Sequence, residues 1–174
     1  IGSKFLNAGP GFGGSCFPKD LEALLSLSKE HSVTMETLQA AIKANKNQKE
    51  RIGEKLDRLV SGGIKGKKIA ILGLAFKANT DDVRESSTID LIKFILNQGG
   101  FVNAYDPIAN ESMAKIFNDI HYFDNVYDAI CEVDALVIMT EWNEFRALDL
   151  NRIKKSMRNN YVLDTRNVLN MKEL

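Results

Sequence analysis

With 174 residues, 44% of them hydrophobic and 26% charged, the chain is long enough for one full domain and a smaller appendage. Lys and Arg together match Asp and Glu at 23 each, which argues against nucleic acid or an anionic membrane as partner. The longest apolar run, residues 135–139, is far too short to span a bilayer, and the two cysteines and two histidines have neither disulfide nor metal-ligand spacing, which fits a cytoplasmic protein without a metal.

In chain order, residues 1–19 are glycine-rich and aperiodic, and Ile1 is read as following an upstream segment. Pro18 and Asp20 suit the first turn of a helix, and Leu21, Leu24, Leu25 and Ser28 continue at helical spacing to about His31. A second helix is expected from Thr34, with Met35, Leu38, Ile42, Ile52, Leu56 and Leu59 on one stripe that Asn45 and Lys49 interrupt. Its ~27 residues would span ~40 Å, a length that usually bridges domains or packs against a partner chain. Ser61-Gly62-Gly63 ends it and places a domain boundary between residues 1–62 and 63–174.

The remainder alternates strands and helices. Strands are expected at 68–75, 101–105, 121–123, 135–139 and 161–163, and helices at 87–98, 111–117, 126–132 and 150–157. The fold class is therefore α/β, a Rossmann-like doubly wound and mainly parallel sheet preceded by a helical segment with one long helix. Cys131, inside an apolar run, is assigned to packing.

Parallel strands share one carboxyl edge, and polar clusters follow the four best strands there. They put Lys77, Arg84 and Arg166 on one rim, cations suited to a phosphorylated ligand, although such loops are equally compatible with plain solvated turns. The first strand runs into Gly73-Leu74-Ala75-Phe76-Lys77 rather than G-x-G-x-x-G, so the usual dinucleotide cradle is absent. Cys16 follows Gly9, Gly11, Gly13 and Gly14 and precedes a helix start. A lone cysteine is more often a small buried hydrophobe, but the helix dipole and Lys19 would favour a reactive thiolate here. Six residues after Cys16 stands Glu22, not the Arg of a phosphatase loop, and neither histidine has a context that supports a Cys–His pair.

Asn7-Ala8-Gly9-Pro10-Gly11-Phe12-Gly13-Gly14-Ser15-Cys16-Phe17-Pro18-Lys19-Asp20 resembles the catalytic segment of UDP-glucose 6-dehydrogenases, within the UDP-glucose/GDP-mannose dehydrogenase family. Phe76-Lys77 with Asp81-Asp82-Val83-Arg84-Glu85-Ser86-Ser87 is similar to that family's second signature, and Thr140-Glu141-Trp142 and Asp164-Thr165-Arg166-Asn167 to two more, in family order. Ser15, Phe17 and the Gly11-Phe12 pair favour UDP-glucose over GDP-mannose or UDP-N-acetylmannosamine.

The resemblance implies NAD-dependent oxidation of UDP-glucose to UDP-glucuronate through a cysteine thiohemiacetal and thioester, in a homodimer whose NAD-binding domain lies upstream. Cys16 would be the nucleophile, and Asp20 would position or activate water. Phe5, Leu6, Asn7, Gly9, Gly11, Phe12, Gly13, Phe76 and Lys77 would contact the nucleotide sugar, with Arg166 on its other side. Arg84 would reach the cofactor pyrophosphate, with Cys16 and Lys19 nearby. Two readings compete from other classes: a non-catalytic nucleotide-sugar binding module, and an interaction protein built on the long helix.

Overall fold

The computed structural model describes residue 2 and residues 6–170. Five strands, β1 (Lys68–Leu72), β2 (Phe101–Tyr105), β3 (His121–Tyr122), β4 (Ala135–Ile138) and β5 (Tyr161–Asp164), pair in parallel in the order β3-β2-β1-β4-β5. Around them run α1 (Phe17–Glu30), α2 (Glu36–Leu59), α3 (Ser87–Asn97), α4 (Asn110–Ala114), α5 (Val126–Ile130), α6 (Asn143–Arg146) and α7 (Leu150–Ser156). The fold is the expected α/β, Rossmann-like sheet.

Alternation at period two sends the side chains of each strand to opposite faces, and both faces are covered. Ile69, Ile71, Val102, Ala104, Ala135 and Val137 face one core with Leu91, Ile92 and Ile95 of α3. Ala70, Leu72, Leu136 and Ile138 face the other, with Ala129 and Ile130 of α5, Phe145 of α6 and Ile153 of α7. The C-terminal half of α2 joins the first core through Ile52 and Leu56, followed by Val60. Gly53 makes that approach possible, since a Cβ there would lie 2.5 Å from the ring of Phe94 on α3.

Several expectations shift. Helix α2 begins two residues later than its polar and apolar spacing suggests, and Leu59 is 39% exposed while Val60, just past the helix end, takes the buried position. Cys131 is exposed rather than packed: α5 stops at Ile130, so Ala129 and Ile130 fill the core and Cys131 caps the helix in an extended conformation. Helix α6 lies in a stretch too short for periodicity to announce. Strand β1 ends at Leu72 because Gly73, at φ +93, turns the chain against Thr140, where a Cβ would lie 2.5 Å from the Thr140 Cβ.

The turn after β1 has its polar groups satisfied from within the protein. Thr88 Oγ1 donates to the Gly73 carbonyl, Ser86 Oγ to that of Leu74 and Thr140 Oγ1 to that of Ala75. The Leu74 and Ala75 N–H groups donate to Oδ2 of Asp106, at 2.7 and 3.2 Å, as does Trp142 Nε1 at 3.1 Å. Oδ1 of the same carboxylate accepts from Ile108 N and Ala109 N. Asp106→Ala would strand several buried donors at ~1–3 kcal/mol each. We therefore expect a stability loss of at least about 3 kcal/mol in urea unfolding, with a red-shifted emission from Trp142, the single tryptophan. A loss under about 1 kcal/mol would show that this carboxylate is replaceable by water.

Candidate functional site at the carboxyl edge of the sheet

Strands β1 and β4 are neighbours whose onward connections cover opposite faces, which opens a crevice at their carboxyl ends, the usual ligand position in such sheets. Loops from β1, β4 and β5 border it, and the glycine-rich segment before α1 lies over it. Arg166, after β5, joins three of these pieces. Its Nε donates to the Met139 carbonyl at 2.9 Å and its Nη2 to the Phe76 carbonyl at 3.3 Å, while a Cβ on Gly9 would lie 2.8 Å from Nη1. Glu141 Oε2 sits 3.2 Å from Arg166 Nε, a Coulombic contact, because that N–H is aimed at Met139. The side chain is 16% exposed, and burial pushes the guanidinium pKa down while the Glu141 carboxylate works against the shift.

The glycine-rich segment seats on the β1 loop and the turn before α3. Gly14 N–H donates to the Arg84 carbonyl at 2.8 Å, and a Cβ on Gly13 would run into the carbonyl oxygen of Glu85. On Gly14 it would meet the Phe76 ring at 2.7 Å. These glycines thus serve the docking of protein on protein, a use the sequence does not reveal. Cys16 is the N-cap of α1, exposed, with Pro18 in the first helical turn and Ser15 Oγ 3.8 Å from its Sγ. Asp20 N donates to the Cys16 carbonyl at 2.8 Å, which puts Asp20 one turn along on the same helix face.

Cys16 and Arg84 line one cavity of about 720 Å³, together with Gly14, Ser15, Lys19 and Glu85. Arg84 is held by a fork on Asp82: Nε to Oδ1 at 2.9 Å and Nη2 to Oδ2 at 2.8 Å. Lys77 stands apart on the surface, its Nζ 5.3 Å from the Phe76 ring centroid. Leu6 and Asn7 are exposed, and Phe5 lies outside the described residues. The expected rim of three cations is therefore one half-buried arginine, one paired arginine and one solvated lysine. Among the described residues no group of His, Cys, Asp and Glu is placed to hold a metal, and no helix is long and apolar enough to cross a membrane.

Residues 70–171 match the UDP binding domain of the UDP-glucose/GDP-mannose dehydrogenase family, and residues 1–47 match its central domain. The chain belongs to this family. It is 44% identical over its full length to UDP-glucose 6-dehydrogenase of Rhizobium meliloti and 46% identical over 97% of its length to that of Rickettsia conorii, covering 40% of each relative. The structure of a UDP-glucose dehydrogenase from Pyrobaculum islandicum superposes with a TM-score of 0.86 at 33% identity, over 97% of this chain and 37% of that one. The chain thus spans well under half the length of these dehydrogenases.

Within this family member, sequence reasoning missed the contribution of α2. Asn45, Gln48 and Lys49 all reach the site: Asn45 Oδ1 accepts from Phe12 N and Nδ2 donates to Phe12 O, Gln48 Nε2 donates to Gly9 O, and Lys49 Nζ donates to Glu85 O. Their signal was present as a polar break in an apolar stripe, at i, i+3 and i+4 spacing.

The hydrogen bonds from Arg84, with its charge, hold the Asp82 carboxyl below the usual carboxylate range. Because the folded-state pKa is depressed, the fork's contribution is complete above the ordinary range and is lost only as pH falls through the lowered value. A carboxyl NMR titration should place the Asp82 midpoint below that of an unpaired aspartate, and Arg84→Met should return it to the ordinary range. An unchanged midpoint in Arg84→Met would show that the fork does not persist in solution.

Proposed function

We propose that this chain forms the substrate half of an NAD-dependent UDP-glucose 6-dehydrogenase, with residues 63–174 as its UDP-binding domain and residues 1–62 as part of a central helical segment. The observation that carries this reading is the shared cavity of Cys16 and Arg84 at the carboxyl edge of the sheet. The sealed β1 turn supports it from another side. The Leu74 and Ala75 N–H groups, which would cradle a pyrophosphate in a standard dinucleotide site, are already spent on Asp106. The sheet therefore does not fit NAD in the ordinary mode, and its crevice is left for the nucleotide of the substrate.

In this reading, Phe5, Leu6, Asn7, Gly9, Gly11, Phe12, Gly13, Phe76 and Lys77 surround the nucleotide sugar, and Arg166 contacts it from the β5 side. Lys19 and Arg84, with Cys16, face the cofactor, Arg84 with its fork preset by Asp82. NAD would supply the hydride acceptor, two molecules in turn taking one hydride each as a primary alcohol becomes a carboxylate. The chain's own part is nucleophilic. Cys16 adds its thiolate to the aldehyde carbon, which holds that carbon in a tetrahedral thiohemiacetal able to release a second hydride. The resulting thioester is cleaved by water positioned by Asp20, on the same helix face as Cys16. Ser15 Oγ, next to the sulfur, is well placed to steady it. Homodimerisation and a cytoplasmic setting complete the proposal.

Three measurements test it. In calorimetric titration the chain alone should bind UDP more tightly than NAD, and the reverse order would overturn the assignment of the crevice. In the complete enzyme, Cys16→Ser should abolish formation of the acid, and wild-type turnover in that variant would remove the thiol from the mechanism. Arg166→Ala should raise the Michaelis constant for the nucleotide sugar and Arg84→Ala that for NAD, by about 10- to 150-fold for a lost charge-assisted hydrogen bond. Arg166→Ala should also lower the melting temperature, because that side chain ties the β1 and β4 loops together. Equal effects on both constants would mean that the two arginines have no separate roles.

A further inference from the structure

Helix α2 presents two polar side chains, one turn apart, to two different loops of the cavity. Asn45 matches the backbone of Phe12 with both halves of its amide, accepting at 2.8 Å and donating at 3.1 Å. The fit is close, since a Cβ on the adjoining Gly11, at φ +111, would lie 2.8 Å from Asn45 Oδ1. Lys49 sends its Nζ to the Glu85 carbonyl at 3.0 Å, and the carboxylates of Glu85 and Asp90 lie at 3.4 and 3.6 Å. Glu85 is itself held at φ +53, and the preceding carbonyl, that of Arg84, receives the Gly14 N–H. The run from Phe12 to Gly14 is thus gripped at both ends, directly by Asn45 and through the Arg84–Glu85 turn by Lys49. Cys16 follows two residues later.

Burying a lysine on the packed face of a helix is a costly way to gain stability. Lys49 is 9% exposed, and an aliphatic residue between Ile42 and Ile52 would pack there without desolvating an ammonium. An arrangement that stability alone does not favour points to what the ammonium holds. We propose that Asn45 and Lys49 are positioning residues for the Cys16 reaction, fixing from one face of α2 the separation between the cysteine loop and the Arg84 turn. This rests on the reading of Cys16 as nucleophile, and neither side chain touches the reacting atoms in it.

The test uses near-isosteric variants in the complete enzyme. Asn45→Asp keeps the acceptor for Phe12 N–H but turns a carboxylate oxygen toward the Phe12 carbonyl. Lys49→Met keeps the aliphatic stem and loses the donors, whereas Lys49→Arg keeps donors within reach of Glu85. At saturating substrates, kcat should fall about 10- to 100-fold in Asn45→Asp and Lys49→Met, the scale of a displaced reacting group, and Lys49→Arg should restore it to within about threefold. Amide exchange at Gly14 in Lys49→Met should accelerate at least tenfold. A role confined to stability would lower the melting temperature without separating Lys49→Arg from Lys49→Met in kcat. Values within twofold of wild type for Asn45→Asp and Lys49→Met, with Cys16→Ser inactive, would overturn the proposal while leaving the nucleophile reading intact. Turnover retained by Cys16→Ser would overturn both. Should Lys49→Met not fold, the contrast between Asn45→Asp and Lys49→Arg decides.

Discussion

A buried carboxylate that meets N–H groups on several sides is expensive to desolvate, and it persists only where the chain has no cheaper way to order those donors. Asp106 is 2% exposed and accepts from the β1 turn, from its own loop and from the indole of Trp142 after β4. It therefore sets the height of two loops at the switch point between β1 and β4. With the β1 turn held, its Phe76 carbonyl is fixed as an acceptor for Arg166, and the Phe76 ring becomes the floor on which Gly14 rests. The crevice depends on this one acid more than on any apolar contact at the same edge.

The same interaction changes what the sheet can recognise. In a dinucleotide domain the first turn offers bare backbone N–H groups to a pyrophosphate. Here an internal anion has taken them. Any phosphorylated ligand must then be met by side chains and by the segment lying over the crevice, and the cations are graded accordingly. Arg166 is half-buried and oriented by two carbonyls, Arg84 is exposed but preset by Asp82, and Lys77 is solvated. Orientation, more than formal charge, separates their uses, because a guanidinium with its fork already directed loses less freedom on meeting an anion.

The sheet was readable from sequence because parallel strands covered on both faces must be apolar runs, and 68–72, 101–105 and 135–138 are such runs between glycines and polar turns. Cys16 and Arg166 were equally visible, since each stands in an unusual local pattern. What stayed hidden was long-range. Nothing local to Gly13 says that Glu85 will lie against it, and nothing local to Cys131 says that α5 will end at Ile130, two residues early, and leave it in solvent. In the sequence Asn45 and Lys49 stand out only as flaws in a stripe. Periodicity scores a polar residue on an apolar face as a defect, whereas a fold can use it as the place where a helix meets backbone rather than side chains.

That distinction explains how one helix serves two kinds of packing. From Ile52 onward α2 meets the sheet domain through apolar contacts, with Gly53 letting the Phe94 ring in close. One to two turns earlier it meets loops whose surface is mostly peptide groups, and there only hydrogen-bonding side chains satisfy what they cover. Apolar contact alone tolerates small slides along the helix axis, because its energy varies slowly with position. The paired amide of Asn45 does not, since both of its bonds are lost together if Phe12 shifts. The apolar end of α2 thus supplies the adhesion and its polar middle supplies the register, and it is the register that reaches the loop carrying Cys16.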